Sequence, residues 1–221
     1  MTPDDRFAAL REGLAGPLPG PRAQKLMAPH PRPGWRPDAE LPSARPAAVL
    51  VLLYPGSEGD TRIVFTERTA DVASHKSQVS FPGGGIEPGE SHVEAACREA
   101  EEEIGLARGI PQPIGELTPL WVPATGFTIH PVVAIATERP VFVPNPREVR
   151  RILETDLAHL RSPDHLHCER SNIAGRWLDV PYFDLAGARL WGASAMITAE
   201  LLALLGWPGP PWLREGQTPR D

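Results

Sequence analysis

The longest unbroken apolar run, AAVLVLLY over 47–54, has the length and composition of a strand buried on both faces. PGSEGD follows as a turn and TRIVFTER (61–68) as a second strand, so the pair predicts a hairpin. The pattern turns polar over 69–80 and stops on the glycines of VSFPGGG. Over 91–103 the apolar positions recur at helical spacing, and Gly105 supplies the stop. Two strand-like runs come next, IGELTPLWV (114–122) and FTIHPVVAIA (127–136). REVRRILETDLAHL (147–160) predicts a helix, LHCER, RWLDV and ARLWG predict short strands, and 194–205 predicts a closing amphipathic helix. Near the N-terminus Phe7, Leu10 and Leu14 place a short helix, while the prolines from Pro17 to Pro46 predict an extended arm without regular structure. Strands and helices mix without strict βαβ alternation, which predicts an α/β fold with helices packed on a mixed sheet. The expected organisation is a short helix and Pro-rich arm over 1–45, one domain over 46–207 and a Pro-rich tail over 208–221.

Charge and composition narrow the partners. The 221 residues carry a formal net charge of −6 and no Lys/Arg cluster, which argues against nucleic acid or an anionic membrane as the main partner. No apolar stretch approaches the ~20 residues of a spanning helix, and MTPDDRFAAL lacks the basic-then-apolar layout of a signal peptide. A cytoplasmic location is the expectation. Cys97 and Cys168 show neither metal-motif spacing nor a disulfide framework.

One segment carries candidate chemistry. Residues 99–103 read Glu-Ala-Glu-Glu-Glu, although like charges one helical turn apart repel by a few tenths of a kcal/mol, roughly. On a helix at ~100° per residue, Val93, Ala96, Cys97, Ala100 and Ile104 form the buried stripe, and Glu99, Glu102 and Glu103 share a ~100° arc beside it. Glu101 falls at the stripe's other edge. Arg98 lies one turn from both Glu94 and Glu102, within pairing reach of each. Two readings stay open: a solvated charged face, or a template for a hard divalent cation, which takes carboxylate oxygens, waters and substrate phosphates. FPGGGIEPGE, just upstream, favours the second, because glycine backbone approaches a ligand without side-chain obstruction.

The spacing of Gly84, Glu90, Arg98-Glu99, Ala100, Glu102-Glu103 and Gly105-Leu106 resembles the Nudix box, with every fixed position present. The resemblance implies a Nudix-type α/β/α sandwich and hydrolysis of a nucleoside diphosphate linked to another moiety, with Mg²⁺ or Mn²⁺. It implies Glu99, Glu102 and Glu103 as metal ligands, with the Gly83 carbonyl as an addition. Glu99 or Glu102 would act catalytically by positioning the attacking water, and Glu90 and Arg98 would be structural, orienting loop and helix. It also implies, by family analogy, a homodimer.

A second stretch, VFTERTADVASHKSQVSFPGG, resembles the signature that precedes the box in coenzyme A pyrophosphatases. Thr66, Arg68, Phe81, Pro82, Gly83 and Gly84 match at the same spacing. Val64, Phe65 and Thr69 depart mildly; Ala73 in place of arginine and Ser77 in place of glycine depart further. GFTIHPVVAI, the NPREV turn and LWGASAMITAELL extend the likeness over roughly 46–207. The implied substrate is a small nucleotide, coenzyme A or an acyl-CoA, cut to 3′,5′-ADP and 4′-phosphopantetheine. Another diphosphate such as ADP-ribose, a dinucleotide or a nucleotide sugar is the alternative, and a non-catalytic Nudix-like binding module a third reading. Arg68, His75, Gln78, Phe81 and Gly84 are the candidate substrate-binding residues, Arg68 because guanidinium grips phosphate bidentately. Packing under the loop is the other reading for Phe81. Glu148 either approaches the metal from a second loop or compensates a helix N-terminus, and His130, Trp121 and Trp191 read as core or rim.

Overall fold

The computed structural model describes residues 3–31, 44–69 and 78–213. The elements run α1 (Pro3–Ala15), α2 (Gly20–Lys25), β1 (Arg45–Pro55), β2 (Thr61–Arg68), β3 (Val79–Ser80), β4 (Gly83–Gly85), α3 (His92–Ile104), β5 (Gln112–Glu116), β6 (Leu120–Val122), β7 (Phe127–Ile135), β8 (Val149–Asp156), α4 (Leu157–Arg161), β9 (Leu166–Ile173), β10 (Arg176–Leu185), β11 (Ala188–Trp191) and α5 (Gly192–Leu204). β1 forms the predicted hairpin with β2 and runs parallel to β7, while its other pairings and those of β7 are antiparallel, so the main sheet is mixed. β9, β10 and β11 make a second, antiparallel sheet.

Alternation along the strands divides the interior in two. Leu50, Leu52 and Tyr54 of β1, with Val132 and Ala134 of β7, face α3, whose Ala95, Ala96, Ala100 and Ile104 close that layer. Val51, Leu53, Ile63, Phe65, Val133 and Ile135 face the other way, onto α1, α5 and the second sheet. The pattern predicted helices on a mixed sheet, and the layers form the α/β/α sandwich that the resemblance implied.

Three expectations fail for physical reasons. Residues 147–160 are a strand first and a helix only over Leu157–Arg161. Val149–Asp156 answers the open edge of β2 through seven paired positions, and buried Glu67 of β2 takes ion pairs from Arg150 and Arg151. Edge pairing overrides the helical spacing. The run 114–122 is two strands, and the break between them faces Pro131, whose missing N–H could not have continued the ladder. The closing helix is not amphipathic: residues 194–202 are buried without exception.

The described part of the N-terminal arm is also integrated. α2 forms inside the Pro-rich region because Pro21 occupies its first turn, where a proline costs nothing. Phe7, Leu10 and Met27 enter the core. Fully buried Glu200 of α5 then ties this segment down: it accepts from Gly20 N (3.0 Å), Gln24 Nε2 (2.9 Å), Thr118 N (3.3 Å) and Thr118 Oγ1 (2.6 Å). Replacing Glu200 by Ala removes the acceptor of four hydrogen bonds and leaves Gly20 N and both Thr118 donors without it, so we expect a loss of about 3 kcal/mol. For a chain of this size that is a Tm drop on the order of 10 °C. A calorimetric scan within 2 °C or so of wild type would mean that the tie contributes nothing.

Candidate active site

The geometry begins with how α3 is started and stopped. Ser91 caps it, accepting from Glu94 N (3.2 Å), while the Glu94 carboxylate takes Ser91 N (2.9 Å) in return. Gly105, at φ 65°, closes the C-terminus in the left-handed conformation that glycine tolerates. Because Glu94 is committed to the cap, the expected Glu94–Arg98 pair does not form. Arg98 instead reaches back to the loop. Its Nε and Nη2 donate to the two oxygens of Glu90 (2.8 and 3.0 Å), Nη2 also to Gly85 O (3.0 Å), and Nη1 to Glu99 (2.9 Å). These bonds hold the Glu90 carboxyl below its ordinary range and raise the guanidinium above its own. Glu90 and Arg98 thus tie the loop to the helix.

The carboxylates occupy distinct environments. Glu102 is about half exposed, with Arg98 3.5 Å away, whereas Glu99 and Glu103 turn inward against β4. The arc expected beside the buried stripe is therefore itself half covered. Glu103, 4% exposed, accepts from Gly83 N at 3.3 Å. The Glu99 carboxylate sits where a Cβ on Gly84 would be, 2.4 Å from its nearest oxygen, so only glycine leaves the cradle open. Burial first, then the neighbouring Glu102 and Glu148, raise the Glu99 carboxyl against the pull of Arg98. Burial and the charges of Glu99 and Glu148 push Glu103 up to about 7, despite Arg68 and the Gly83 N–H. Two carboxylates held against bare glycine backbone and disfavoured as anions, with Glu102 beside them at the surface, fit a hard divalent cation.

Arg68 and Glu148 join this cluster electrostatically. Glu148 lies on the turn whose Asn145 N donates to Glu103 O at 2.9 Å, and the Arg68 Nε is buried without a hydrogen-bond partner among the described residues. Gln78 stands at the mouth of the same loop, accepting Arg68 N through its backbone oxygen (3.1 Å). Phe81 does not face a substrate: it is 2% exposed, with its ring 4.7 Å from that of Phe65 in the opposite layer. His75, Ala73 and Ser77 lie outside the described residues.

Residues 44–181, more than half of the chain, match the NUDIX domain family. The chain belongs to the Nudix family. Among its relatives, chloroplastic Nudix hydrolase 22 of Arabidopsis thaliana is 32% identical over 76% of this chain and 58% of its own length. Mitochondrial Nudix hydrolase 15 of the same plant is 31% identical over 68% of this chain and 55% of its own length. The match therefore spans little more than half of either plant protein. The human mitochondrial coenzyme A diphosphatase NUDT8 is 32% identical over 75% of this chain and 72% of its own length. The crystal structure of the Nudix hydrolase RenU from M. smegmatis shares the fold, with a TM-score of 0.50 at 18% identity over 76% of this chain and 90% of that one. No helix among the described residues is long and apolar enough to cross a membrane.

The Nudix-box carboxylates make stability depend on pH. Folding raises Glu103 from the ordinary 4.5 to about 7, so folding takes up a proton in that window. Stability of the metal-free protein should then fall as pH rises from about 5 to 8, by up to about 3 kcal/mol. Differential scanning calorimetry in EDTA should show the decline in wild type and its loss in Glu103→Gln. A flat profile in wild type would place Glu103 in water.

Proposed function

We propose that this Nudix domain hydrolyses the diphosphate of coenzyme A or an acyl-CoA to 3′,5′-ADP and a 4′-phosphopantetheine product. The observation that carries the reading is the pair of inward carboxylates, Glu99 and Glu103, held against the Gly83–Gly84 backbone at the end of a helix that Arg98 fastens. Glu99, Glu102, Glu103 and the Gly83 carbonyl would hold Mg²⁺ or Mn²⁺. Bound there, the ion supplies neutralisation of the diphosphate charge and a lower pKa for its water. Water adds across the P–O–P bridge: its oxygen bonds to one phosphorus and the bridging oxygen leaves with the other. The proton passes to a carboxylate of the helix, Glu99 or Glu102. Arg68 would meet a substrate phosphate, since its guanidinium lies close enough to Glu103 to lower that group's pKa.

The coenzyme A class is supported by the upstream signature and by the likeness to the human coenzyme A diphosphatase. The departures at Ala73 and Ser77 favour the second reading, a different nucleoside diphosphate derivative. Product chromatography decides between them, after incubation with Mg²⁺ or Mn²⁺ and coenzyme A, acetyl-CoA, ADP-ribose, NADH or diadenosine polyphosphate. We expect 3′,5′-ADP from coenzyme A to exceed every other product. Faster cleavage of ADP-ribose would retire the coenzyme A assignment and leave the diphosphatase.

A further inference from the structure

A second cluster of ligand-type side chains lies on the same helix, at its other end. His92 opens α3, Glu116 ends β5, and His130 sits in β7. The strand register brings them together. His130 is two positions from Val132 on the face of β7 that α3 covers, and Glu116 pairs directly with Val132 across the ladder. Residues directly opposite in a ladder share a face, so Glu116 and His130 both rise towards the helix, where His92 meets them. His92 Nδ1 lies 2.9 Å from Glu116 Oε2, and the two imidazoles stack with centroids 3.8 Å apart. One ligand atom from each of the three residues lies within 4.8 Å of the others.

We propose that His92, Glu116 and His130 form a second metal site, for Zn²⁺ and not for the hard ion of the box carboxylates. Two imidazoles and one carboxylate are a borderline donor set that selects zinc over magnesium. Three protein ligands leave a fourth position for water. A tetrahedral ion bound at about 2.05 Å holds its ligand atoms ~3.3 Å apart, so to share one ion the three side chains must close in and the two stacked rings must turn out of their stack, each bringing the ion into its own plane. His130 supplies an independent sign: its Nδ1 is buried and has no hydrogen-bond partner among the described residues, a condition rare enough in folded proteins to need a cause. Burial and the neighbouring His92 also hold His130 towards the neutral imidazole that a metal requires. His92 and Glu116 are each more than a third exposed, so an ion can enter from solvent. Glu99 comes seven positions after His92, about 10 Å along the helix axis, so the sites are distinct.

The test is isothermal titration of the full chain, stripped with EDTA, with Zn²⁺ in saturating Mg²⁺. We expect one Zn²⁺ per chain in wild type and equally in the Glu99→Gln/Glu103→Gln double variant. His92→Gln and, separately, His130→Asn should weaken binding more than ~100-fold, because losing even an outer partner of a ligand costs 10–100-fold, roughly. His92 stands at an exposed helix start, so its variant keeps the test valid if His130→Asn folds poorly. Absence of zinc binding in wild type overturns the proposal. So does wild-type affinity in His92→Gln, or loss of the site in the carboxylate double variant.

Discussion

Replacing Glu99 by Gln should cut turnover by roughly 10³-fold, because an ion placed on a phosphoryl group supplies several kcal/mol of transition-state stabilisation. The substitution is nearly isosteric and keeps an oxygen for Arg98 Nη1, which stands 2.9 Å away. The fold should therefore survive, with Tm unchanged or raised, since burial already disfavours the Glu99 anion. Steady-state kinetics across an Mg²⁺ titration is the measurement. A kcat within tenfold of wild type would remove Glu99 from the ligand set. A wild-type chain with a substrate-dependent thermal shift, but no turnover on any diphosphate, would instead make this a binding module.

The second large effect separates two adjacent glycines. An alanine at 84 places its Cβ 2.4–2.7 Å from the Glu99 carboxyl atoms, which end a flexible side chain and can swing away. Gly84→Ala should fold normally and lose about 10²-fold in kcat, the cost of a ligand displaced by an ångström or so. An alanine at 83 meets backbone instead: Ala48 O at 2.4 Å and Val49 Cα at 2.7 Å, both on the strand that β4 pairs with. Those atoms cannot yield without parting the strands, so Gly83→Ala should cost about 3 kcal/mol or more. Thermal melts and single-turnover assays on the two variants, side by side, test the contrast. Full activity in Gly84→Ala would show that Glu99 is not held at the cradle during the reaction.

What the amino-acid pattern disclosed depended on how local the governing interaction is. The β1–β2 hairpin and the limits of α3 were legible because turn, cap and stop residues act within a few positions. The spacing of the box glutamates was legible because a helix converts spacing into direction. How far each glutamate is buried was not: that depends on β4, a three-residue strand of glycines whose partner is decided elsewhere in the chain. Likewise β8 reads as a helix until β2 offers it an edge, and only the register of β5 on β7 shows that His130 has company. Phe81 matched a signature position, yet it serves the core next to Phe65.

The Glu200 tie joins positions 180 residues apart, Gly20 and the closing helix. At the usual pace of synthesis the ribosome makes Gly20 roughly 10–35 s before its partner. Through that interval Phe7, Leu10 and Met27 have no α5 to lie against. The N-terminal helices therefore complete their packing only after α5 has been made.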